Sequence, residues 1–250
     1  MLIAAAVVPH PPVLVPEVAQ GFSPDLDTLR SACETAVGRL YAAGADEVLI
    51  VGAGPGQGDD VAARGDFRAY GVDLTVDGRW GTPDSVTQGT APMTLPFLIA
   101  AWLLRDRPTE PVRRPVMVDE HGGAVGNGAV GNRAVGNGTG SSDTVNSAAR
   151  QAMLVLGDGS ASRTPQAPGH FDERAEPYDA AVARALATAD TAALAALDPD
   201  LSRALHVAGL PAWKLLADAA TASGVEYDAE LLYDEAPYGV GYFVATWLAR

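Results

Sequence analysis

Four short apolar runs, separated by segments of helical period, constrain this chain more than any other feature. Leu2 to Val8, Glu47 to Val51, Pro115 to Asp119 and Ala152 to Leu156 hold almost no polar side chains within them. Runs of this length suit strands covered on both faces. Between the first two, Leu26, Leu29, Cys33, Val37 and Leu40 recur at spacings of three and four, which predicts an amphipathic helix stopped by Gly44. Strand, helix and strand joined by short connections form a βαβ unit with a right-handed crossover. Leu95 to Leu104 reads as a buried helix, and Tyr70 to Val76 alternates like a strand with one wet face. Helices are expected over Glu176 to Ala187, Thr191 to Leu197, Asp200 to Val207 and Ala212 to Ala222. Val225 to Tyr233 and Gly239 to Thr246 then form an antiparallel pair at one edge. The expected fold is α/β, a single-domain three-layer α/β/α sandwich around a mostly parallel, mixed sheet spanning 1–250.

Residues 121–142 break this pattern. Ala-Val-Gly-Asn occurs three times there, and so polar and glycine-rich a segment cannot bury enough apolar surface to order itself. A flexible Gly/Asn-rich insertion is expected, with His121 at its border. Net charge narrows the partners. At −14 the chain lacks the basic footprint that nucleic acid or an anionic membrane requires. No basic residue precedes the apolar start and Pro9 interrupts it, so the sequence reads as soluble and cytoplasmic. The single cysteine, Cys33, lies on the helical stripe and excludes an internal disulfide framework. The histidines are His10, His121, His170 and His206. His170 reads as exposed and His206 as a residue of the Asp200 to Val207 helix.

Polar sites in open α/β sheets gather at the carboxyl ends of the strands. Four loops leave strands that way here, at His10, at 53–60, at 158–163 and at 234–238. Gly52-Ala-Gly-Pro-Gly-Gln-Gly58 has the look of a phosphate loop. It lacks the Lys-Ser/Thr of a Walker motif, and Pro55 removes a backbone donor. Asp158 and Ser160 read as turn residues bonding their own backbone, in a position to line a pocket with Tyr238.

Taken together, three of these segments resemble a known family. Val8-Pro-His-Pro-Pro-Val-Leu-Val-Pro-Glu17, Gly157-Asp-Gly-Ser160 and Glu235-Ala-Pro-Tyr-Gly-Val-Gly-Tyr242 look like the class III extradiol ring-cleavage dioxygenases. Within that family they look most like the branch that includes the protocatechuate 4,5-dioxygenase catalytic subunit and the Memo proteins. The resemblance implies an α/β/α sandwich, non-haem Fe(II) held by two histidines and a glutamate, and a further histidine as acid/base. It puts His10 and Glu235 at metal positions. Ala53 stands at the remaining ligand position and Ala161 at the acid/base position, so no residue is carried over as catalytic.

Two protein ligands hold a divalent metal more weakly than three, and the missing acid/base removes a rate factor of order 10²–10⁴. The expected cofactor is therefore Fe(II) or another divalent metal, weakly bound. Asp59, Asp60, Asp158 or His170 are the side chains that could replace a lost ligand. Three functional classes follow. One is a degenerate relative that binds a small aromatic molecule or a protein partner in the old cleft. Another is an active Fe(II) dioxygenase cleaving a catechol-type ring. The third is a metal-independent hydrolase, for which no Ser-His-Asp spacing speaks. Members of the family often dimerise, so the resemblance also implies a homodimer.

Overall fold

The computed structural model describes residues 1–20, 26–54, 61–81, 93–119, 124–125 and 149–250. The strands are β1 (Leu2–Val8), β2 (Glu47–Ala53), β3 (Arg64–Asp66), β4 (Thr75–Asp77), β5 (Val112–Val118), β6 (Ala124–Val125), β7 (Gln151–Leu156), β8 (Tyr227–Glu235) and β9 (Tyr242–Ala249). The helices are α1 (Pro16–Ala19), α2 (Asp27–Ala42), α3 (Leu95–Leu103), α4 (Ala175–Thr188), α5 (Thr191–Ala195), α6 (Pro199–Ala204) and α7 (Leu210–Ser223). Seven strands form one sheet in the order β6-β5-β2-β7-β1-β9-β8. Strands β5, β2, β7 and β1 run parallel, while β9 lies antiparallel to β1 and β8 antiparallel to β9. The mixed α/β sandwich and its antiparallel final pair follow the pattern read from sequence. The βαβ unit β1–α2–β2 is split, because β7 pairs with both of its strands.

Alternation along the strands divides the interior in two. Ala4, Ala6, Val8, Val48, Ile50, Ala152, Leu154 and Leu156 pack with α2 and α3 in the first core. Ala5, Val7, Leu49, Val51, Met153 and Val155 pack with α4, α5 and α7 in the second. Strands buried on both faces need no polar alternation, so their sequences read as unbroken apolar runs. Cys33 is wholly buried in the first core, and burial pushes its thiol well above the ordinary value.

Two local expectations need correction. Tyr70 to Val76 is not one strand. Arg68–Tyr70 is a 3-10 turn, Gly71 reverses the chain at φ 82°, and only Thr75–Asp77 pairs, with Arg64–Asp66. Its alternation comes from a turn packed over Phe67. The helix expected to reach Val207 ends at Ala204, and His206 takes a left-handed φ of 57° beyond it. His206 N–H donates to Arg203 O and Val207 N–H to Ser202 O, a Schellman-type stop that puts His206 in the position glycine usually fills. The expected insertion at 121–142, with His121, lies outside the described residues except for the short strand at Ala124–Val125.

Arg113 carries a structural role that its charge does not announce in the sequence. It is wholly buried in β5 and donates to Tyr41 Oη and to the carbonyls of Gly78, Leu104, Arg107 and Pro108. These bonds fasten the end of α3 and the chain after β4 to the sheet.

Candidate functional site

Register brings the predicted residues to one edge of the sheet. Val8 pairs with Leu156 across β1 and β7, so His10 and Asp158 each stand two residues beyond that pair. His10 N–H donates to Asp158 Oδ1 at 2.8 Å. His10 Nδ1 lies 3.7 Å from the same oxygen. The His10 residue is only 7% exposed, and its Nδ1 is buried without a hydrogen-bond partner. Asp158 therefore bonds across the sheet, not to its own turn.

On the other side of β1, Val7 pairs with Ala245 of β9. That pairing ends at Val7, and beyond it Tyr242 of β9 pairs with Glu235 of β8, forming a row at the end of the sheet where His10 lies. Tyr242 belongs to the first core, and Tyr238 packs against it. Glu235 is exposed at the rim and accepts a long bond of 3.5 Å from Tyr233 Oη.

The electrostatics record the same gathering. Burial, with the Glu235 charge added, pushes the Tyr233 hydroxyl up to about 12. Burial raises Tyr242 further, and the Asp158 charge adds to it. Asp158 also acts on Cys33. Asp234 is raised by burial and by Asp179 and Glu235, against the pull of Arg163. Asp158 and Glu235 thus put negative charge beside Tyr242 and Tyr233.

The loop from Gly157 to Arg163 crosses over the end of β1 and is fastened at both sides. Gly159 N–H donates to Gly241 O, Gly241 N–H to Ser160 O and Arg163 N–H to Gly239 O. On the far side Ala161 N–H donates to Leu205 O and Gly209 N–H to Asp158 O. Glycine is required where these segments touch. A Cβ on Gly157 would lie 2.3 Å from Gly209 Cα, and one on Gly241 would lie 2.6 Å from Asp179 Oδ2.

Ser160 faces away from the row. It is wholly buried, its N–H donates to Asp179 Oδ1 at 2.9 Å, and its hydroxyl donates to Asp179 Oδ2 at 2.7 Å. Arg163 Nη1 joins them 3.2 Å from Asp179 Oδ2. Asp179 is the residue that sequence reading missed. It lies mid-helix in α4, and only a wholly buried acid among apolar neighbours would have drawn notice.

The two alanines that the resemblance puts at a ligand and at the acid/base position take structural places. Ala53 is still within β2, which runs two residues past the expected Val51, and its methyl packs against the second core. Ala161 N–H donates to Leu205 O, and its carbonyl accepts from Gly169 N–H. His170 and His206 are exposed, as the sequence suggested for His170, and both have positive φ. Asp59 and Asp60 lie outside the described residues. Gly52, first of the glycine-rich run, is explained by packing, since a Cβ there would meet Pro96 Cβ at 2.6 Å.

A metal centre of the implied kind needs three convergent donors. The described residues contain no group of three or more His, Cys, Asp or Glu side chains that could hold an ion. His10 has Asp158 beside it, but Glu235 stands a strand further off and methyl groups occupy the other two positions. This donor set does not fit the two-histidine, one-carboxylate arrangement.

Among the described residues, no helix is long and apolar enough to cross a membrane. Compared with protein-family models and with curated proteins, the chain matches none.

Proposed function

We propose that this chain is an extradiol-dioxygenase-like protein that keeps the family's cleft as a binding site for a small, ring-bearing molecule without ring cleavage. The observation that carries the reading is His10. A nine-tenths-buried imidazole leaves one nitrogen without a partner beside a carboxylate. Buried polar atoms are paired in the great majority of cases, so an unpaired one at a strand end calls for a partner from outside the chain. Tyr242 of the first core, and Tyr238 packed against that core, add aromatic side chains within reach of the Asp158 charge. Ala161 offers no proton and Ala53 no lone pair, so binding is what this edge retains.

The test is direct. Purified protein supplied with Fe(II) and oxygen should form no yellow ring-opened product from catechol or protocatechuate, and should carry substoichiometric iron. A simple phenol such as 4-ethylphenol should shift the NMR signals of His10, Tyr238 and Tyr242 and leave those of Trp213 unmoved. Turnover that disappears in His10→Ala would overturn the proposal and restore an active dioxygenase.

A further inference from the structure

We propose that the ligand of this cleft carries an ammonium group, which donates to His10 Nδ1 and Asp158 Oδ1 together. The inference rests on the cleft being a binding site and adds the chemical class of what it takes.

The two acceptor atoms are 3.7 Å apart, too far to bond each other. An ammonium nitrogen about 2.8 Å from each closes that triangle with charge-assisted bonds of ordinary length. Nδ1 serves as an acceptor when the imidazole proton is on Nε2. Asp158 is held ready, because its Oδ1 already takes the His10 N–H and its carbonyl takes the Gly209 N–H.

Charge points the same way. Glu235 acts on Tyr233 and Asp158 on Tyr242, and Tyr238 is close enough to act on both tyrosines. Two cations stand close to this end of the chain's sheet, and both are paired: Arg163 with Asp179 at 3.2 Å and Glu176 at 3.8 Å, and Arg30 with Asp27 at 2.9 Å and the Val13 and Leu14 carbonyls. A ligand carboxylate or phosphate would meet like charge here. A cation meets opposite charge and the faces of aromatic rings. The ring-bearing end of the ligand fits the first-core side, where Tyr238 and Val240 pack.

Calorimetric titration of the whole chain in chelator, with three probes of matched ring, tests the proposal. Tyramine should bind about tenfold or more tightly than 4-ethylphenol, the margin expected of charge-assisted over neutral hydrogen bonds. 4-Hydroxyphenylacetate should not bind. Asp158→Asn keeps an acceptor for the His10 N–H and should bring tyramine down to the level of 4-ethylphenol. If that variant fails to fold, His10→Gln, which removes Nδ1, should abolish the same preference. Equal affinity for tyramine and 4-ethylphenol would overturn the ammonium while leaving the cleft as a binding site, and preference for the acid would do the same. Binding of none of the three, or stoichiometric binding of Fe(II) or Zn(II) in the absence of chelator, would overturn both.

Discussion

Two buried polar clusters flank the same loop, residues 157–163, and they are built on opposite plans. On the second-core side, Asp179 accepts from Ser160 N–H, Ser160 Oγ and Arg163 Nη1, and both of its oxygens are used. On the His10 side, Asp158 takes one backbone N–H while the adjacent His10 Nδ1 goes without. A saturated network in a low-dielectric interior fixes geometry. An unsaturated one carries a desolvation cost that folding alone does not recover. The loop is therefore anchored through Asp179 on one side, and on the other it leaves a buried acceptor unsatisfied beside Asp158.

The largest break in this comparison comes from the saturated side. Asp179→Ala leaves the Ser160 donors and Arg163 without their acceptor, and unfolding in urea should show a loss of about 3 kcal/mol. Asp179→Asn should cost less, since an amide oxygen still accepts from Ser160 N–H. It should also change the pH dependence. Burial raises the Asp179 carboxyl above its ordinary 3.8, against the bonds from Ser160 and Arg163. The stability contributed by proton uptake is complete below the ordinary value and is lost as pH rises through the raised one. The stability of the native chain relative to Asp179→Asn should therefore fall as pH rises above the ordinary 3.8 and through the raised value. A flat difference would mean that the carboxyl is not raised.

How much of this was legible differs between the two clusters. Apolar strands that need no alternation declared the sheet, and His10, Asp158 and Glu235 followed from loops at strand ends. Register then did what spacing could not. His10 and Asp158 are 148 positions apart, and only the pairing of Val8 with Leu156 makes them neighbours. Asp179 stayed hidden because a helical acid in a stripe of alanines is indistinguishable from a solvated one until the opposing loop is known. Arg113 was hidden for the same reason, with five acceptors drawn from three separate segments. Tyr70 to Val76 misled because a turn packed over Phe67 also alternates buried and exposed positions.

A middle-sized effect probes the contact between the clusters. Gly241 sits against Asp179, and a methyl there would come within 2.6 Å of Oδ2 and 3.0 Å of the carboxyl carbon. Gly241→Ala should cost about 2 kcal/mol, within the range for overpacking a close-packed site. Hydrogen exchange should quicken at the amides of Gly159 and Arg163, which bond to Gly241 and Gly239, before it quickens in β1 or β7. Uniform acceleration would mean that loop and sheet open as one unit.

The smallest effect is the most telling. His10 is as buried as many core residues, yet its Nδ1 gives nothing to the fold. Replacing it with an apolar side chain of similar size removes an unpaired polar group and keeps the backbone N–H that Asp158 holds. His10→Leu should therefore change the unfolding free energy by less than about 1 kcal/mol, in either direction, because losing an unsatisfied buried group offsets the altered packing. The same substitution should bring tyramine down to the level of 4-ethylphenol, separating stability from ligand preference at one residue. A loss as large as that of Asp179→Ala would instead make His10 a structural residue, and the open plan of the cleft would lose its physical basis.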